Sequence, residues 1–126
     1  MRMHVKIEPW PDHLHVVVDG LFDHAQLADA LKSIFDASSK HGLRKILVDS
    51  RALEGEVSLM ARYDIGRIAA GLQREPVRLV MVASKEHIWP DHFGENVANN
   101  LGVKSKVTPD MAEAYAWLNE DAGPKK

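Results

Sequence analysis

At 126 residues, 45% hydrophobic and 27% charged, the chain has the size and composition of one globular domain with its own core. A net charge of −2 gives no general pull toward nucleic acid or anionic membrane, and the lack of cysteine excludes disulfides, thiolate metal sites and cysteine nucleophiles. No apolar run approaches the ~20 residues needed to span a bilayer, and the amino-terminal residues have no apolar stretch of signal-peptide type, so a cytoplasmic protein without stable membrane insertion is expected.

Residues 3–8 alternate Met3, Val5 and Ile7 with His4, Lys6 and Glu8, the pattern of a half-buried strand. Trp10-Pro11-Asp12-His13 reads as a turn, and Leu14 to Val18 as a second strand stopped by Asp19-Gly20. Two strands joined so closely predict an antiparallel hairpin. A helix follows with both ends marked. Asp23 is its N-cap, Gln26 stands where a capping-box partner belongs, and Phe22 and Leu27 are placed to form a hydrophobic staple. Leu27, Ala30, Leu31, Ile34 and Ser38 share one face, and Gly42 after Lys40-His41 ends the helix in a left-handed turn.

Lys45 to Val48 is a short strand ending at Asp49, followed by a loop over 50–57. Ser58 caps a helix reaching about Gln73, with Ala61, Ile65, Ile68, Ala69 and Leu72 as its buried stripe. Pro76 breaks it, and the apolar run Val77 to Ala83 fits a strand covered on both faces. A loop over 84–92 leads to a helix over about 92–101, ended by Gly102. Val103, Ser105 and Val107 alternate with Lys104 and Lys106, as in a lysine-protected edge strand. Thr108-Pro109-Asp110 starts a final helix with proline at its first position, burying Met111, Ala114, Tyr115 and Leu118.

The predicted order β-β-α-β-α-β-α-β-α describes a single α/β layered domain over residues 1–119. Its sheet is mixed, mostly parallel and four- to five-stranded, with helices packed on it. Residues 120–126 are expected to form a flexible tail.

The chain contains no Gly-x-Gly-x-x-Gly, Walker loop, Gly-x-Ser-x-Gly elbow or His-Glu-x-x-His, so no catalytic residue and no cofactor is expected. His13 and His15 would project from one face of an extended segment, and His87 and His92 flank Trp89-Pro90. Neither pair has the further ligands a zinc site requires, so no metal is expected. Asp49, Glu54 and Glu56 read as solvated loop acids, with Asp49 tying down the amides of the following loop.

The group with the clearest ligand-binding chemistry is Arg51, Ser58, Arg62 and Tyr63. A helix N-terminus at Ser58 favours an anion, and Arg62, one turn in, and Arg51, above the strand, carry matching charge. The structural alternative is that Ser58 merely caps the helix while the arginines pair with Glu54, Glu56 or Asp64. Met60, Trp89 and Phe93, with Trp10 nearby in character, are candidates for an apolar pocket or interface.

The element order and the stretch Leu47-Val48-Asp49-Ser50-Arg51-Ala52-Leu53-Glu54-Gly55-Glu56-Val57-Ser58-Leu59-Met60-Ala61-Arg62-Tyr63-Asp64-Ile65-Gly66 resemble the SpoIIAA-like branch of the STAS superfamily. So do Phe93-Gly94-Glu95-Asn96-Val97-Ala98-Asn99-Asn100 and Glu113-Ala114-Tyr115-Ala116-Trp117-Leu118. The resemblance implies a compact α/β domain that frequently dimerises. The branch is also likened to the lipid-binding SEC14 fold, which implies an apolar or amphiphilic ligand. Anti-sigma-factor antagonists of the superfamily are regulated at a serine that starts the helix after the third strand, in the pattern Asp-Ser-Ser-Gly. Here Val57-Ser58-Leu59-Met60 keeps only the serine.

The expectation is therefore a non-catalytic cytoplasmic binding or regulatory module, taking a small anion or a protein partner at the strand-to-helix junction 49–62. A SEC14-like carrier of a lipid or other apolar ligand is the alternative, and a small hydrolytic or acid/base enzyme the second. A homodimer is expected, with no nucleic acid.

Overall fold

A computed structural model describes residues 3–84 and 99–120. Within them lie strands β1 (His4–Pro9), β2 (Leu14–Leu21), β3 (Lys45–Glu54), β4 (Arg78–Ala83) and β5 (Lys104–Thr108). The helices are α1 (His24–His41), α2 (Leu59–Leu72) and α3 (Met111–Asn119). The helix expected over 92–101 falls outside the described residues except at its end. There residues 99 and 100 are helical, and Gly102 at φ 101° closes the segment.

The five strands form one sheet in chain order, β1-β2-β3-β4-β5. β1 and β2 pair antiparallel, and every later pair is parallel. This is the mixed, mostly parallel sheet expected from the sequence. Crossovers of one hand that advance in one direction put their helices on one face. Accordingly α1 and α2 pack against each other on the side of Val16, Val18, Ile46, Val48 and Leu79, forming the main core with Leu27, Leu31, Ile34, Phe35 and Ala69. α3 returns to the opposite face and closes a smaller cluster of Leu47, Val80, Val82, Ala114 and Leu118. It lies over β3, β4 and β5, and no described helix covers β1 and β2 on that side.

The ends of α1 follow local chemistry. The Asp23 carboxylate accepts from the Gln26 N–H at 2.9 Å, and Gly42 takes φ 66°, its N–H turning back to the carbonyls of the last turn. Three element ends differ from the sequence expectation. β2 continues through Asp19-Gly20 to Leu21, and β3 runs six residues past Val48 to Glu54. The two strands extend each other: the Phe22 N–H donates to the Glu54 carbonyl at 2.8 Å. A slip in register, with Val17 opposite Asp49 but Asp19 opposite Ala52, absorbs one extra residue of β3. At the last helix, Asp110 is the N-cap, accepting from the Ala112 and Glu113 N–H groups, so Pro109 precedes the helix instead of opening it.

Trp117 on α3 lies against the guanidinium of Arg78, whose carbon is 4.0 Å from the ring centroid. The Arg78 Nη2 also donates to the Trp117 carbonyl at 2.7 Å. A cation at the carboxyl end of a helix is favoured by its dipole, so this contact fastens α3 to the sheet.

Candidate functional site

The polar residues of the strand-to-helix junction divide into two settings. Asp49 and Arg51 stand on the sheet. The Arg51 guanidinium grips the Asp49 carboxylate through Nε and Nη2, each at 2.9 Å. The Arg51 N–H bonds the same carboxylate at 3.2 Å, the side-chain-to-backbone tie expected of Asp49. The Arg51 hydrogen bonds hold the Asp49 carboxyl below its ordinary range despite partial burial, and the carboxylate raises the Arg51 pKa in return. Arg51 is thus a charge neutralised within its own strand, on the side of the sheet away from α2.

Ser58, Met60, Arg62 and Tyr63 belong to the start of α2. The Ser58 hydroxyl accepts from the Ala61 N–H at 3.1 Å, the bond of an N-cap. The Arg62 Nε donates to the Val57 carbonyl at 3.1 Å, folding that side chain back over the loop that enters the helix. Met60 and Tyr63, three residues apart and so neighbours on the helix surface, are 65% and 42% exposed. Leu21, 48% exposed, ends β2 opposite Glu54, and a Cβ built on Gly55 would come within 3.0 Å of its Cδ1. Gly55 itself takes φ 98°, a turn only glycine makes readily. The end of β2 and the first two turns of α2 thus carry large exposed apolar side chains, those of α2 on the same helix start as Ser58 and Arg62. Trp89 and Phe93 lie outside the described residues, as do His87 and His92.

A second polar cluster occupies the hairpin between β1 and β2. His13 is 2% exposed, yet each ring nitrogen has a partner. Nδ1 lies 2.8 Å from an Asp12 carboxylate oxygen, and Nε2 lies 3.1 Å from Nδ1 of His15. A carboxylate only accepts, so the His13 hydrogen sits on Nδ1. In the neutral pair His13 Nε2 is then the acceptor, and His15 carries its hydrogen on Nδ1. Trp10 stacks flat on His15, with centroids 4.0 Å apart and planes 9° from parallel, and Tyr115 of α3 meets His13 edge-on at 5.7 Å.

Burial, and then the neighbouring His13, push the His15 pKa below its ordinary value, while Asp49 and Glu8 oppose the shift. The hydrogen bond from His13 lowers that of Asp12. The sequence placed His13 and His15 on one face, and the structure joins them. Asp12 and the tyrosine from α3 complete the set, and only the tertiary fold brings that tyrosine near. Among the described residues no three His, Asp or Glu side chains converge as a metal site would require.

No protein-family model matches the chain, and no curated protein matches it in sequence. Solved structures do match. An anti-sigma factor antagonist from Mycobacterium paratuberculosis superposes with a TM-score of 0.59 at 18% identity, over 94% of this chain and 95% of that one. An uncharacterized protein of the DUF3478 family from Shewanella loihica PV-4, described as having a SpoIIAA-like fold, superposes with a TM-score of 0.53 at 23% identity, over 92% of this chain and 93% of that one. The chain has a SpoIIAA-like fold. The resemblance read from residues 47–66, 93–100 and 113–118 is therefore shown at the level of the fold. Against that fold, Ser58 holds the start of the helix that follows the third strand.

Proposed function

We propose that this SpoIIAA-like chain is a non-catalytic regulatory module that binds a protein partner at the junction 49–62, through Met60 and Tyr63 with Ser58 and Arg62 beside them. The observation that carries the reading is the exposure of Met60 and Tyr63 at the start of α2. Exposed apolar side chains grouped at one site are the signature of a contact surface, because burying them on association returns the free energy their exposure costs. The likeness in fold to an anti-sigma factor antagonist supports a regulatory role.

A protein is favoured over a small anion by the polar groups themselves. Arg51 is neutralised by Asp49, and the Ser58 hydroxyl already accepts a helix N–H. Ser58 is the position at which a modification would be read, since a phosphate at a helix N-terminus is electrostatically tolerated. The setting is cytoplasmic, in keeping with the absence, among the described residues, of any helix long and apolar enough to cross a membrane.

A photo-crosslinking residue placed at Tyr63 tests the reading. It is expected to trap a defined protein in cells, with trapping lost in Met60→Asp and absent from a probe at Lys32 on α1. Equal trapping from both positions, or none from Tyr63, would overturn it.

A further inference from the structure

β1 ends the sheet, so one row of its backbone groups has no strand beside it among the described residues. Which groups face outward follows from the hairpin. The Trp10 N–H donates to the His13 carbonyl at 2.8 Å, in the same register that pairs Glu8 with His15 and Lys6 with Val17. Antiparallel partners alternate between bonded and non-bonded pairs, so Glu8 and Lys6 direct their amide and carbonyl toward β2. Val5, Ile7 and Pro9 direct theirs away from the sheet. Beside this edge, Met3 and Val5 of the β1 end and Gln26, Asp29, Ala30 and Ser33 of α1 line a shallow groove. An exposed edge with a helix-walled groove is the setting in which an extended strand adds to a sheet.

We propose that β1 is an interface between two copies of this chain, paired edge to edge and antiparallel about a two-fold axis at Ile7. The choice of register comes from the sequence. Outward-facing residues must oppose one another, so the two-fold axis falls on a residue and not between residues. An axis at Lys6 sets lysine directly against lysine, and one at Glu8 sets glutamate against glutamate. An axis at Val5 opposes Lys6 to His4 and runs Glu8 past the end of β1, which begins at His4. An axis at Ile7 opposes Lys6 to Glu8 of the partner subunit, twice by symmetry, on the face opposite α1.

In that register the two Ile7 residues exchange backbone bonds, and each Val5 N–H meets the carbonyl of Pro9 of the partner subunit. Proline lacks an amide hydrogen, so it forfeits one bond at each end of the pairing and marks where it stops. The side chain of Pro9 of the partner subunit then stands opposite Val5, over the groove against Ala30. Lys6 and Glu8 already lie 3.3 Å apart within the strand, so pairing builds an alternating four-charge cluster with no like charges opposed. Two-fold pairing consumes the β1 edge of both copies. The far edge, β5, presents Lys104 and Lys106, which discourage further addition.

Sedimentation equilibrium on the wild-type chain and on Lys6→Glu, Glu8→Lys and the double swap tests the assignment, with circular dichroism to confirm that each variant is folded. The wild type is expected to be a concentration-dependent dimer. Each single change weakens dimerisation roughly tenfold by opposing like charges, and the double swap restores it. Because the chain has no cysteine, Ile7→Cys supplies a single thiol at the two-fold axis. It should give a disulfide-linked dimer on mild oxidation at protein concentrations where Lys32→Cys does not. A wild type that stays monomeric, a dimer indifferent to the single charge changes, or failure of the double swap to recover would overturn the proposal.

Discussion

The hairpin cluster and the first turn of α2 use similar residue types to opposite ends. Around the buried His13 ring, polar atoms are paired with one another, and Trp10 and Tyr115 pack on the ring. At the start of α2 the polar groups are tied to the backbone while Met60 and Tyr63 are 65% and 42% exposed. A buried histidine invites a catalytic reading, but here its partners satisfy it, and satisfaction of that kind holds a hairpin to the sheet. An exposed methionine and tyrosine at a strand-to-helix junction look ordinary, yet covering them with a partner would remove apolar surface from water. The first region spends its chemistry on stability, and the second is the surface we propose for recognition.

Removing the buried ring tests this contrast most severely. His13→Ala leaves a cavity and strips Asp12 and His15 of their shared partner, so denaturant unfolding should show a loss of about 2–4 kcal/mol. Ser58→Ala should cost about 1 kcal/mol, the usual worth of a cap, whereas Ser58→Asp should keep nearly all the stability because aspartate also caps. A comparable loss in both variants would mean the hydroxyl does something beyond capping α2.

Acid gives a graded probe of the hairpin. The folded pKa of His15 lies below its ordinary 6.5, so the unfolded chain binds the proton more readily and stability falls as pH drops below that value. His15→Gln should flatten the slope just below pH 6.5. Asp12 and Asp49, whose pKa values are lowered from an ordinary 3.8, add losses of the same sign only in more acid solution. The smallest stability effect is expected at Met60→Asp, within about 0.5 kcal/mol of wild type, together with loss of crosslinking from Tyr63. A large destabilisation there would erase the contrast between the two regions.

Much of the fold was legible because its signals are local. Asp23 and Gly42 bound α1 within a few residues of chain, and the apolar spacing between them needs no distant partner to be read. The ends of β2 and β3 were not legible. Both strands outlast their local stop signals because each supplies the other with hydrogen-bond partners out to Leu21 and Glu54. Arg51 shows the same limit at the site. Loop spacing placed it beside Ser58 and Arg62, but the longer strand puts it on the sheet, with Asp49 as its nearest countercharge. Tyr115 lies about a hundred residues of chain from His13, and only the docking of α3 brings its ring edge-on to that histidine.

The sequence by itself determined the element types of the described residues, the mixed sheet and the caps at Asp23 and Ser58. These follow from side-chain periodicity or from bonds within one turn of backbone, and the sequence's motifs carried the resemblance to a SpoIIAA-like domain. Tertiary structure decided which charges are neutralised, which histidine is buried and which apolar side chains remain in water. Those outcomes depend on which strands become neighbours and which face each helix covers, and pairing across long stretches of chain leaves no local mark for a sequence to carry.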